Sequence, residues 1–293
     1  MAASSWAQVP KPLQRLFDRF PLLTYDATAL PERSRPATDD TLPTLYTFTT
    51  SEEASLGHPS FNPSCLKWQT LLRLSKVPVR ILPSTNHASP TGTLPFLLPP
   101  RSVSQTPIPA SKLTDYIRTH GSPLHPAPVT PRLDAYQALI DLPIRNAWLY
   151  IVYLHSGGRA DGWYIEPASK DRLIRYALRN GLREAAASEI LKGTGMLSLE
   201  LEDLDLEVLE KRGQEALEAL AELLRESETG WFFDAEEPGV FDASVFAYTY
   251  LLSRHVSDRD ISGTVKTAAG GTLDKHRIRM LEMAWPGWDE EKL

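Results

Sequence analysis

Ser64 and Cys65 follow Asn62-Pro63, a pairing that starts helices: asparagine as the N-cap, proline at the first helical position. A thiol placed there feels the positive end of the helix dipole, which lowers its pKa and favours a reactive thiolate. Cys65 also falls on the apolar face of the same helix with Leu66, Trp68 and Leu72, and a packed core cysteine is the preferred reading. It is the single cysteine of the chain, which excludes an intramolecular disulfide and a cysteine-rich zinc site and fits a reducing compartment. The other chemistry-bearing residues lack the company that catalysis needs. His120 and His125 are separated by Gly121-Ser122-Pro123-Leu124 with no carboxylate to pair them, and ordinary roles are expected for all seven histidines. Residues 263–271 (GTVKTAAGG) have the wrong order for a phosphate loop. The acid pairs Asp39-Asp40, Glu52-Glu53 and Glu236-Glu237 read as solvated turn residues. No catalytic residue, cofactor site or metal site is assigned.

The elements that would hold Cys65 are legible around it. Thr44–Thr50 alternates and is rich in β-formers, so a strand is expected, followed by a polar loop. The helix runs from Pro63 to Lys76, and Val77–Leu82 is a second strand. Residues 86–100 (NHASPTGTLPFLLPP) then carry an apolar run, Phe96–Leu98, that reads as a buried strand headed by Pro95. Proline cannot donate to a β-ladder, and a cis bond in a tight turn is one way for a strand to begin abruptly after it. Residues 101–109 leave room for a further short strand, and a helix from Ala110 or Ser111 ends at Gly121. Strand, helix, strand, proline-headed strand and helix is the order of a thioredoxin-like domain, with its first two strands parallel because a helix joins them.

Twenty of the 24 prolines lie at or before Pro131, so the second half is free to be helical. Helices are expected over 133–155 (interrupted at Pro143), 170–192, 206–228, 240–252 and around 277–283, with a Gly/Thr-rich loop over 262–272. The expected organisation is an extension over 1–43, a thioredoxin-like domain over 44–121, a proline-rich linker over 122–131 and an all-helical domain over 132–293. The fold class is therefore α/β in the first domain and all-α in the second. In the extension, Leu13, Leu16, Phe17 and Phe20 fall at i, i+3, i+4 and i+7, with Lys11, Arg15 and Arg19 beside them. So short a helix is marginal alone. Packing on the protein's own body is preferred for it, and a partner or membrane contact through Leu13, Arg15, Leu16, Phe17 and Phe20 is the alternative.

A thioredoxin-like domain followed by a helical one resembles the glutathione-transferase architecture. Ser89-Pro90-Thr91-Gly92-Thr93-Leu94-Pro95-Phe96-Leu97 is similar to that family's segment around its cis proline, which puts the structural cis proline at Pro95. Pro238-Gly239-Val240-Phe241-Asp242-Ala243 resembles the family's helix start, which makes Asp242 its buried helix-start aspartate, with Gly239 in a cap slot usually held by Ser or Thr. Within the superfamily the wording looks like the metaxins, through Asn62–Gln69, Asn86–Gly92, Trp231-Phe232-Phe233 and Phe241–Phe246. The nearest likeness is the small, peripheral metaxin-like subunit of the fungal mitochondrial sorting and assembly machinery, preferred to the larger metaxin-like subunit because a long hydrophobic tail is lacking.

That resemblance implies a non-enzymatic protein, peripheral on the cytosolic face of the mitochondrial outer membrane. Its implied partners are the β-barrel core subunit of the machinery, the larger metaxin-like subunit, and β-barrel precursors received by their C-terminal targeting strand. The alternative is a cytosolic glutathione transferase or glutathione-binding enzyme. A transferase usually carries Glu or Gln followed by Ser where its helix after the sheet begins, and here the pair is Ala110-Ser111. In a transferase, too, the backbone of the residue before the cis proline meets glutathione, and Leu94 stands in that place. An exposed edge of the thioredoxin-like sheet would offer a precursor strand unpaired backbone groups. The net charge of −6 gives the chain no electrostatic footprint for nucleic acid. No stretch approaches the roughly 20 apolar residues of a membrane span, and residues 1–12 lack the layout of a secretory signal.

Overall fold

The computed structural model describes residues 41–100, 102–104, 106–122, 130–155, 159–194, 206–256 and 260–288. Strand β1 (Thr44–Thr47) lies inside a four-stranded sheet of order β2-β1-β3-β4, with β2 at Arg80–Pro83, β3 at Phe96–Leu98 and β4 at Ile108–Pro109. β1 pairs with β2 in parallel and with β3 antiparallel, and β3 pairs with β4 antiparallel. Because side chains alternate along a strand, Leu45 and Leu97 face the main core while Tyr46, Phe96 and Leu98 face a smaller cluster on the other side. Tyr46 and Phe96 are cross-strand partners and their rings stack at 4.7 Å.

The loop expected after β1 is instead a short helix, α1 (Ser51–Leu56). Thr50 Oγ1 accepts from Glu53 N–H at 3.2 Å, and Glu53 Oε2 accepts from Thr50 N–H at 3.3 Å. This reciprocal cap stabilises a helix too short to show an apolar stripe, and it gives Glu53 a structural role that a turn acid would lack. Helix α2 (Pro63–Leu74) stops before Lys76, which takes a left-handed φ of 56°, and the second strand starts later than expected, at Arg80. A single 3₁₀ turn (Ala110–Lys112) leads into α3 (Leu113–His120). Most of the expected linker, 123–129, lies outside the described residues.

The helical part begins at α4 (Pro131–Leu139), capped by Thr130. Two π-helical segments, Ile140–Ile144 and Tyr150–Leu154, flank α5 (Arg145–Leu149). Pro143 inside the first has no N–H to give, and the chain widens rather than breaks there. A third π segment, Asp161–Ile165, precedes α6 (Arg172–Thr194), and α7 (Leu206–Arg225) follows. α8 (Val240–His255) is the central helix, with eleven of its 16 residues buried. The expected loop over 262–272 is mostly α9 (Asp260–Thr267) and a 3₁₀ turn, held by buried Ile261 and Val265 one helical turn apart; only two large apolar residues mark it in the sequence. α10 (Thr272–Ala284) closes the described fold.

α2 joins the two parts, packing against α8 and α10. Its Leu66, Leu71 and Leu72 belong to one continuous core with Leu45 and Leu97 of the sheet and Leu217, Phe246 and Leu251 of the helices. Arg73 fastens the junction: its guanidinium donates to the Gly57 carbonyl at 2.8 Å and to the Ala284 carbonyl at 3.3 Å, and lies 4.8 Å from the Trp285 ring. Trp285 Nε1–H donates to the same Gly57 carbonyl at 2.9 Å. Gly213 sets a second close approach, since a Cβ there would sit 2.7 Å from Ala147 Cβ and 3.0 Å from Ile261 Cδ1. Gly213→Ala is therefore expected to lower stability by about 1–3 kcal/mol through overpacking, although alanine is the better helix former by about 1 kcal/mol. Urea denaturation of the two proteins checks it, and a more stable variant would refute the close packing.

Candidate functional site

The start of α2 and the turn into β3 are the two places to which the transferase resemblance points, and in both the backbone donors are bonded to side chains of the chain itself. The Leu94–Pro95 bond is cis, and Leu94 is buried. Asn86, in a 3₁₀ turn over Asn86–Ala88, sends its side-chain Oδ1 to accept the Leu94 N–H at 3.0 Å. The backbone donor that the transferase resemblance would offer to glutathione is thus already bonded. The hydroxyls of Ser89, Thr91 and Thr93 line the same turn at 3.3 and 3.4 Å from one another.

At the start of α2, Asn62 Oδ1 accepts the Cys65 N–H at 3.2 Å, and its Nδ2 donates to Tyr164 Oη at 3.3 Å. Ser60 sits beneath, donating its hydroxyl to the Phe48 carbonyl at 2.6 Å and its N–H to Gln69 Oε1 at 2.8 Å. Rings from both parts of the fold gather over this turn. Tyr164 meets Phe48 edge-on at 5.0 Å, Phe61 stacks on Trp163 at 5.1 Å, and Tyr153 stacks on Tyr164 at 5.7 Å. Burial pushes the Tyr164 phenol well above its ordinary range and raises that of Tyr153. Neither phenol is a base at neutral pH.

Cys65 is fully buried among Tyr46, Leu94, Phe96 and Leu98. Burial pushes its thiol up to about 12, and the Phe48 N–H, 3.5 Å from the sulfur, and the Ser60 hydroxyl only partly offset that. The helix dipole therefore does not produce a thiolate here. Ser64 is exposed. Ser111, in the 3₁₀ turn before α3, is exposed as well, with Ala110 half-buried beside it.

Asp242 is the third residue of α8 and is 2% exposed. Its Oδ2 accepts the Gly239 N–H at 3.0 Å, so the aspartate caps its own helix from within while the cap residue supplies no side chain. Its Oδ1 accepts from the Phe232 N–H at 3.1 Å and faces His276 Nε2 at 3.0 Å. His276, at 3% exposure on α10, lies edge-on to the rings of Trp231 and Phe232. One carboxylate thus ties together the Trp231-Phe232-Phe233 segment, the start of α8 and α10. Neither His276 nor Tyr164 stands out in the sequence, because their partners are 34 and 102 positions away.

The remaining sequence candidates divide. Leu13, Arg15, Leu16, Phe17 and Phe20 lie outside the described residues, as does His125. His120 stacks on Tyr116 at 4.1 Å and its Nδ1 lies 2.7 Å from the Thr119 hydroxyl, a surface arrangement. Among the described residues no group of three or more His, Cys, Asp or Glu is placed to hold a metal, and no helix is long and apolar enough to cross a membrane.

The architecture, a thioredoxin-like sheet domain carrying a helical domain, defines the chain's class, and comparison with known proteins agrees. Family models for the glutathione S-transferase N-terminal and C-terminal domains match residues 63–158 and 213–267. The chain is similar in fold to glutathione transferase GSTFuA3 of Phanerochaete chrysosporium, with 14% identity, 85% of this chain and 98% of that one covered, and a TM-score of 0.56. It is similar to GSTFuA2 of the same organism, with 11% identity, 83% and 98% covered and a TM-score of 0.54. The β-etherase LigF of Sphingobium sp. strain SYK-6 matches at 14% identity, 82% and 98% covered and a TM-score of 0.51. No curated protein matches the chain significantly. The chain belongs to the glutathione-transferase-like superfamily.

Two outcomes follow from the site. Native Cys65 is expected to resist alkylation by iodoacetamide at pH 8 and to react fully once urea is added; labelling of the native protein at the unfolded rate would refute its burial. The folded thiol keeps its proton to about 12 against an ordinary value of 9.0, so its stabilising effect is complete below pH 9 and is lost as the pH rises toward 12. For Asp242, replacement by alanine leaves the Phe232 and Gly239 N–H groups without their acceptor, a loss of about 3–5 kcal/mol. Denaturation of Asp242→Ala and His276→Ala should show the larger loss in the former, and equal small losses would contradict the three-way bond.

Proposed function

We propose that this chain is a non-enzymatic, metaxin-like binding subunit, peripheral on the cytosolic face of the mitochondrial outer membrane. There it binds the β-barrel core subunit of the sorting and assembly machinery. Together with the larger metaxin-like subunit it helps receive β-barrel precursors by their C-terminal targeting strand. The observation that carries the non-enzymatic part is the bond from Leu94 N–H to Asn86 Oδ1, which spends the donor a transferase would keep for glutathione. Cys65, fully buried, and Tyr164, bonded to Asn62, support the same reading. So does Ala110 ahead of Ser111, where a transferase would place a clamp. The metaxin assignment itself rests on the segments at 62–69, 86–92, 231–233 and 241–246.

The test is to isolate the chain from its native membrane in mild detergent and identify what accompanies it. A co-purifying outer-membrane β-barrel subunit is expected, with no retention of the chain on immobilised glutathione. A monomer or homodimer that is retained on glutathione, and released by Ser64→Ala, would overturn the proposal in favour of a transferase that uses the exposed serine.

A further inference from the structure

The π-helical segment holding Pro143, the end of α6 and the early turns of α7 border one hollow. The space between them is a cavity of about 440 Å³, within the usual range for small-ligand sites. Leu139, Leu142, Leu209 and Ala216 supply its apolar lining. Asn146 also lines it and is 5% exposed, yet its side-chain Oδ1 is buried with no hydrogen-bond partner. A buried amide left unsatisfied is costly, and each such group calls for an explanation. Gly193 at the end of α6 packs close to that amide. A Cβ there would lie 3.3 Å from both Asn146 Nδ2 and Leu142 Cδ2, and 3.6 Å from Asn146 Oδ1.

Two further polar side chains stand at the mouth. Arg212 and Glu215, both exposed and one turn apart on α7, line the cavity, and among the described residues neither has an ion pair or hydrogen bond. The polar set is thus a carboxamide with one donor and one acceptor group, a guanidinium that only donates, and a carboxylate that only accepts. Their charges cancel. A carboxylate ligand would gain Arg212 and be repelled by Glu215, and an organic cation would meet the reverse. A neutral amide can use all three, its C=O accepting from Arg212 and its single N–H shared between Asn146 Oδ1 and Glu215.

The geometry points to a binding site for an extended peptide segment that inserts one aliphatic side chain over Leu142, Leu209 and Ala216. The peptide's backbone amide is held by Asn146, Arg212 and Glu215. The site stands on the helical domain and does not depend on the role proposed above: it stands or falls whether or not a β-barrel subunit accompanies the chain.

The experiment uses the full chain, labelled with nitrogen-15, and N-acetyl-leucinamide as the probe, with 4-methylpentanoate and 3-methylbutylamine as its anionic and cationic counterparts. Saturable shifts of the Asn146 side-chain amide and of the Gly193 and Ala216 backbone signals are expected with the leucinamide. The two counterparts should bind at least about tenfold more weakly. Arg212→Ala and Glu215→Ala, both surface changes that leave the core intact, should each weaken the leucinamide about five- to tenfold. Gly193→Leu should abolish the shifts. The inference is overturned if the leucinamide leaves those signals unmoved, if either counterpart binds equally well, or if the Arg212 and Glu215 variants bind the leucinamide as the parent does.

Discussion

One twelve-residue helix has to satisfy two neighbours. α2 is wound between the sheet and the helical bundle, and the residues that fill its turns belong to cores on both sides: Cys65 to the small cluster with Tyr46 and Phe96, Leu66 and Leu71 to the large one. Its position is therefore over-determined, and the groups at its start inherit that rigidity. Asn62 caps it and at the same time reaches across to Tyr164 of the helical part. A helix start held this way is an anchor between domains rather than a mouth between them.

Two groups near that corner are settled within the chain. Burial outweighs the dipole at Cys65, and a side-chain oxygen of Asn86 accepts the Leu94 N–H. The Asn86 bond satisfies an N–H that would otherwise need solvent, so that turn is self-contained. A binding protein that uses its outer surfaces is consistent with such an interior.

How much of this is legible in the sequence depends on the range of the interaction involved. Asn62-Pro63 announces α2 because cap and first-turn preferences act over three residues, and Phe96–Leu98 stands out as an unbroken apolar run. Helix α1 is just as local, but its signal is the Thr50–Glu53 reciprocal cap rather than periodicity, and a search for apolar stripes passes over it. α9 hides behind Gly263 and two threonines, with only Ile261 and Val265 to mark it. The π segment at Ile140–Ile144 follows from how Pro143 is accommodated in three dimensions. At the site, the residue types at 62–65 and 94–95 are readable, whereas Asn86, Tyr164 and His276 acquire their roles only from partners brought near by folding.

The Gly57 carbonyl accepts from both Arg73 and Trp285, and Trp285 follows it by 228 positions. A ribosome makes the acceptor long before the second donor. Until α8 and α10 have emerged, the sheet and α2 are complete as a chain yet lack the surface that covers Leu66, Leu71 and Leu72, and contacts so distant in sequence form late. The nascent protein therefore passes through a long interval in which its first half is an adhesive, half-finished body. The end of α10 is thus also what latches the first domain shut, through Ala284 to Arg73 and Trp285 to Gly57.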